Sequence, residues 1–364
     1  MFVAARIKQA RELRGWTQTE LADQTGVTQA AIARIEAGLL HPSSDFVTRA
    51  ALALGFPLVF FRTDPLEVPL GSLLFRASKR LSARHQVSAR RWGEVSLEAY
   101  QRLASEVELP PIRLPRFAGL PDPREAAQAT RAALGIPPDT PIKNLVRAVE
   151  RGGVIVLDLP VPAEQKEAFS FWHGDAPEMP VIALFQQGSG DRLRFSVAHE
   201  LGHLVMPGTF SDDPEAKANA FASEFLLPAS AIRQSVTTPV TLSDLAGLKP
   251  IWGTSVQALV MRCRSLGLLS ERQYRYLFER IGKLGWRRRE PAELDVPVER
   301  PRAFRQMAEM LYGEPIDTRR LAARLGLAPS FVGEMLGEQH QSRRRSDGDR
   351  PRVGRPVDLE SFRS

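Results

Sequence analysis

The sequence predicts a mainly α-helical protein with one small β-sheet, an α+β chain built from more than one domain. Three observations lead there. Residues 4–60 read as short helices separated by tight turns. In mid-chain, Val154-Ile155-Val156-Leu157 and Val181-Ile182-Ala183-Leu184 are too short for helices and β-branched enough for strands. Helical patterning surrounds them, over about 124–134 and 142–151 before, and about 192–206, 213–227, 243–285 and 302–337 after.

Length and composition set the bounds. A chain of 364 residues has room for two or three domains with their own cores. Its single cysteine, Cys263, excludes an intramolecular disulfide and a Cys-based zinc cluster. Nothing approaches 18 uninterrupted apolar residues, and residues 1–14 lack the basic-then-apolar pattern of a signal peptide. A cytoplasmic protein without a membrane partner is expected. Lys and Arg number 49 against 42 acids, a formal net charge of +7, which fits a polyanionic partner without demanding one. The excess is local. Arg76, Lys79, Arg80, Arg84, Arg90 and Arg91 lie in a stretch with no acid, and Arg343, Arg344 and Arg345 form a second cluster. A solvated face and a disordered tail are the plainer readings of these two.

The expected domains are therefore residues 1–60, a basic connector over 61–122, a mixed domain over 123–250, a helical region over 251–338 and a disordered basic tail over 339–364. The connector ends in Pro110-Pro111-Ile112-Arg113-Leu114-Pro115, a density of proline that marks a semi-rigid boundary.

In the first domain, Ile7, Ala10, Leu13 and Trp16 mark a helix and its end. Thr17 and Glu20 have the spacing of a capping box for a second helix through Leu21 and Ala22. Gly26 supplies a sharp turn, and Thr28 caps a third helix that turns Ile32 and Ile35 inward. Gln29, Ala30 and Arg34 are left exposed on it, amide and guanidinium groups being those that read base edges in a major groove. Gln18 is placed to meet a phosphate. The run W-T-Q-T-E-L-A-D-Q-T-G-V-T-Q-A-A-I-A-R-I-E-A-G resembles the Cro/repressor-type (XRE) helix-turn-helix family over residues 4–56. That resemblance implies double-stranded DNA as a partner, met by Gln18, Thr28, Gln29, Ala30 and Arg34, with a homodimer on paired half-sites. Residues 1–60 hold six basic and five acidic side chains, so backbone affinity is expected to lean on residues 76–91 or on dimerisation. Leu321, Leu325, Gly326 and Leu327 faintly echo a second such motif, with a packing surface the favoured reading.

The stretch Phe195-Ser196-Val197-Ala198-His199-Glu200-Leu201-Gly202-His203-Leu204-Val205 carries the chemistry of the second domain. On a helix, His199 and His203 project from one face a turn apart and can grip one zinc ion. Glu200 lies about 100° round, within reach of a water on that ion, where it serves as general base. Val197, Leu201, Leu204 and Val205 make the rest of the helix apolar, as a buried active-site helix requires. A catalytic zinc takes three protein ligands and keeps one position open. The next helix offers Glu215 and Glu224, nine residues and hence half a turn apart. Glu215 shares an arc with Ala218, Asn219, Ala222, Phe225 and Leu226, so it is the third ligand. Glu224 falls beside Lys217 and Asp213 and is expected at the surface. Asn219, one turn from Glu215, either steadies a ligand or bonds to backbone.

F-S-V-A-H-E-L-G-H-L-V followed by E-A-K-A-N-A-F-A-S-E-F-L-L-P resembles the ImmA/IrrE family of zinc metallopeptidases over about residues 125–250. The resemblance implies a thermolysin-like (zincin) arrangement with a small sheet beside the active-site helix, and Glu215 again as the third ligand. It also implies a protein substrate, a repressor. His173, Tyr274 and Tyr276 are open as oxyanion stabilisers. A regulator whose second domain senses a ligand or zinc without cutting, and an antitoxin-like binding module, are the competing readings.

Overall fold

The computed structural model describes residues 2–66, 83–117, 119, 121–162, 168–174, 178–186, 189–206 and 213–338. It is α+β, as the patterning predicts. The chain forms two compact units: Met1–Leu109, Leu157–Lys166 and Arg302–Asp349 make one, and Pro110–Val156 with Glu167–Pro301 make most of the other. Among the described residues, no helix is long and apolar enough to cross a membrane.

The first unit begins with α1 (Ala4–Leu13), α2 (Gln18–Thr25), α3 (Gln29–Glu36) and α4 (Ser44–Leu54). Local chemistry punctuates them. Thr17 and Glu20 close the capping box of α2, and the side chains of Thr28 and Ser43 cap α3 and α4. Ile7, Leu21, Ile32, Phe46 and Leu54 form the core they share, and a 3-10 turn at Leu58–Arg62 adds Phe60 and Phe61.

Residues 61–122 are not only a connector, because they contain α5 (Ala83–Ala104), 22 residues long and packed on α1. The basic stretch is largely neutralised where it is described. Arg91 pairs with Glu12 and Glu94, Arg90 with Glu94, and Arg84 reaches Glu20 at 3.5 Å. Buried Arg6 donates to Gln9 and Glu98, and Gln9 in turn donates to buried Glu94. Those acids belong to α1, α2 and the far half of α5, so a count confined to residues 76–91 does not see them. Arg76, Lys79, Arg80 and the 339–364 tail lie outside the described residues.

The second unit opens with α6 (Pro123–Ala133) and α7 (Leu145–Arg151), begun by the Asp122 and Asn144 caps. Next along the chain come β1 (Ile155–Pro162), which from Leu157 on is counted with the first unit, β2 (Ala168–His173) and β3 (Met179–Gln186), with the strand order β1-β3-β2. β2 runs antiparallel to β3, with Ser170 opposite Ile182 and Trp172 opposite Pro180. The sequence pattern missed β2, for Ala168, Phe169, Ser170, Phe171 and His173 are all buried and no polar alternation marks an outer face.

Two central helices follow, α8 (Gly190–Val205) and α9 (Pro214–Leu226), packed on each other and on α6. Next come α10 (Ala229–Ser235), α11 (Leu242–Trp252), α12 (Val256–Ser265) and α13 (Glu271–Lys283). The segment after α13 returns along the start of α8. Val296 O accepts Gly190 N–H, Glu299 pairs with Arg194 of α8, and Glu290 joins Asp191 around the buried ammonium of Lys249.

The chain ends in the first unit with α14 (Ala303–Tyr312), α15 (Thr318–Leu325) and α16 (Pro329–Met335). The single region expected over 251–338 is thus divided, α12 and α13 in one unit and α14–α16 in the other. Phe331 of α16 supplies the reason: its ring centroid lies 4.5 Å from that of Phe56 and 5.0 Å from that of Trp92 on α5.

Candidate metal centre and DNA-facing helices

α8 carries His199, Glu200 and His203 on a helix whose remaining face is core. Val197, Ala198 and Leu201 are fully buried, and Leu204 and Val205 nearly so. Gly202 permits the close approach of α9, since a Cβ there would sit 3.0 Å from the Phe221 ring. Phe221, Ala222 and Phe225 fill that seam, which sets Glu215 of the first turn of α9 opposite the two histidines.

The resulting geometry is compact. His199 Nε2 and His203 Nε2 are 3.1 Å apart, and the Glu215 carboxylate oxygens lie 3.4 and 3.6 Å from them. Four ligands at zinc bond lengths of about 2.0–2.1 Å have neighbours about 3.3 Å apart on a tetrahedron. The two histidine nitrogens stand at about that separation, each with a different Glu215 oxygen within 3.6 Å, so the donor set fits zinc. The Glu215 side chain is 51% exposed, which leaves the site open on that side. Asn219 Oδ1 lies 3.0 Å from His199 Nδ1. With Nδ1–H donated there, Nε2 keeps its lone pair for a metal.

Glu200 faces the sheet. Ser170 Oγ of β2 lies 2.7 Å from Glu200 Oε2 and 3.1 Å from its main-chain oxygen, and the indole Nε1–H of Trp172 donates to Leu204 O at 3.1 Å. Sequence reasoning missed both residues because it missed β2. His173 belongs to the other face by strand alternation, with Phe171 edge-on beside it, and burial lowers its pKa. Tyr274 packs against Phe278 beneath Arg264, and Tyr276 is exposed on α13.

Glu224 corrects the sequence reading outright. It is 2% exposed, paired with buried Arg262, and accepts from Gln128 and the Ala229 N–H. The helical wheel assigned it to solvent because it sits with Lys217 and Asp213. The cover on that side comes from α6 and α12, which a wheel of α9 alone does not include.

On the first unit, Gln29, Ala30 and Arg34 are exposed on α3, and Thr28 accepts the Ala31 N–H while keeping its own hydroxyl proton. Gln29 Nε2 donates to Gln18 Oε1 at 2.8 Å, and Gln18 Nε2 donates to Glu36 at 3.0 Å. Glu36 is itself gripped by Arg11 at 2.6 and 2.9 Å. The amides of Gln18 and Gln29 are therefore pre-oriented, and each –NH2 has a second proton to offer.

Comparison with known proteins agrees with both halves. Residues 7–61 match the helix-turn-helix family model, and residues 149–264 match the model for the IrrE N-terminal-like domain. The chain joins a helix-turn-helix domain to an IrrE-like, metallopeptidase-like domain. No curated protein matches it. Among solved structures it is similar to Bacillus thuringiensis PlcR, determined in complex with the peptide PapR7 and DNA. That match has 14% identity, covers 95% of this chain and 99% of that chain, and has a TM-score of 0.17, a level at which it carries no argument.

Proposed function

We propose that this helix-turn-helix/IrrE-like chain is a DNA-binding zinc metallo-endopeptidase that cleaves a repressor-type protein and so controls transcription. The observation that carries the reading is the convergence of His199, His203 and Glu215 at zinc-like spacings, with Glu200 one residue along α8. Zinc in such a site polarises a carbonyl and lowers the pKa of water. His199, His203 and Glu215 hold it, and the Asn219 carbonyl fixes the tautomer of His199. Glu200 takes the proton of the attacking water and passes it to the leaving amine. A domain that only sensed zinc would need the three ligands but not a carboxylate in the place of Glu200.

The N-terminal domain takes the chain to double-stranded DNA. Gln29, Ala30 and Arg34 face base edges, Gln18 and Thr28 face the backbone, and two copies of the chain meet paired half-sites.

The test measures zinc content and cleavage of candidate repressor-type proteins, any encoded by a neighbouring gene first, for the native chain and Glu200→Gln in parallel. One zinc in each, with cleavage by the native chain alone, is the expected result. One zinc in each and no cleavage by either favours a sensing domain, and no zinc in either overturns the site.

A further inference from the structure

We infer that Ser170 of β2 is a positioning residue that holds the Glu200 carboxylate in its working orientation. The inference rests on the metal-site reading above and deepens it, since nothing in the His-Glu-x-x-His pattern specifies how Glu200 is aimed.

Ser170 is 5% exposed, on the face of β2 that meets α8. Its neighbours on that face are Ala168, a core residue, and Trp172, whose indole donates to Leu204 O. A hydroxyl buried there costs free energy unless it finds an acceptor. It has two choices on the same residue, Glu200 Oε2 at 2.7 Å and Glu200 O at 3.1 Å. The main-chain oxygen is already the i to i+4 acceptor of a regular helix, whereas a carboxylate makes the shorter, charge-assisted bond. A purely structural serine would tie β2 to the helix backbone alone. This one also ties down Oε2. The Trp172 bond one turn further on keeps β2 in register with α8, so the hydroxyl arrives at Glu200 and not at a neighbouring turn.

A general base acts through geometry before basicity. A glutamate has three side-chain torsions, and an untethered one spreads over several rotamers. One charge-assisted hydrogen bond is enough to favour one rotamer about tenfold.

The experiment uses the full chain with cobalt(II) in place of zinc, and acetohydroxamate as the probe, followed by visible absorption. This ligand chelates the metal, and its ligating O–H gives its proton to a carboxylate beside the site. Cobalt content and the thermal midpoint are recorded for every variant. Glu200→Gln is expected to weaken acetohydroxamate tenfold or more. Ser170→Ala is expected to weaken it about three- to tenfold with cobalt content unchanged, and Ser170→Thr, which keeps the hydroxyl, to restore it. If Ser170→Ala binds the probe like the native chain while Glu200→Gln does not, Ser170 is structural only and the inference fails. If Ser170→Thr behaves like Ser170→Ala at full cobalt content, the hydroxyl is not the cause and the inference fails too. If cobalt does not bind, or Glu200→Gln has no effect, the metal-site reading falls first and takes this one with it.

Discussion

The helices at the two ends of the first unit share a plan and differ in use. α1, α2 and α3 have 10, 8 and 8 residues, and α14, α15 and α16 have 10, 8 and 7. The turn of the first set is Gly26-Val27-Thr28, with φ 66° and ψ 31° at the glycine; that of the second is Gly326-Leu327-Ala328, with 67° and 30°. Thr17 and Asp317 occupy matching caps, and Leu21, Ala22 and Ile32 are buried just as Leu321, Ala322 and Val332 are. The outer faces diverge. Where α3 exposes Gln29, Ala30 and Arg34, α16 has Pro329, Ser330 and Glu334, and Phe331 in place of Ala31 turns its helix into the domain. A helix-turn-helix is thus specified by its turn and core, and reading DNA is a separate property of a few side chains.

The largest expected effect breaks the packed copy. Phe331 is 2% exposed against Phe56 and Trp92, with the Arg14 guanidinium 4.5 Å from its ring. Phe331→Ala should cost about 3–5 kcal/mol of unfolding free energy in a denaturant titration, as large-to-small core changes do. Ala31→Phe, the reverse exchange on α3, should cost about 1 kcal/mol or less, because half-buried Ala31 is already partly open to solvent. Equal losses would mean that the two faces are not used differently.

The next effect concerns DNA. Arg34→Ala should weaken binding to a selected operator by about 1–3 kcal/mol, tenfold or more, whereas Glu334→Ala should leave it within twofold. Fluorescence anisotropy at fixed salt reads both. A loss from Glu334→Ala matching that from Arg34→Ala would assign DNA contact to the C-terminal copy as well.

How much of this was legible follows from where the information sits. The Thr17–Glu20 capping box, the Gly26 turn and the i, i+4 histidines are local, so a linear reading finds them. The place of Glu215 beside the two histidines was also accessible, because the apolar arc of α9 points toward its own partner helix. Glu224 was not, since its cover is Arg262, 38 residues on, and Gln128, 96 residues back. Nor was α5, whose acids Glu94 and Glu98 pair across to Arg6 and Gln9 as well as along their own helix. β2 escaped because burial on both faces erases alternation, and with it went Ser170.

The smallest effect sharpens the comparison most, because it asks whether the two turns are equivalent where they look alike. Each glycine adopts a left-handed conformation that costs an L-residue about 1–2 kcal/mol. A Cβ at Gly26 would meet nothing within 4 Å, and one at Gly326 would meet Val59 and Arg102 only at ordinary contact distances, 3.5 and 3.7 Å. Sterics therefore add nothing at either site, and Gly26→Ala and Gly326→Ala should each cost the same 1–2 kcal/mol of stability. Their consequences for DNA should still part. The turn at Gly26 sets the angle between Gln18 and α3, so the alanine variant, fully folded at low temperature, should lose operator affinity. Gly326→Ala at the same temperature should retain it. If both variants lost affinity together, the turn at Gly326 would have to be transmitting strain through Phe331 to the N-terminal helices, and the two copies would be one mechanical element instead of a reader and its support.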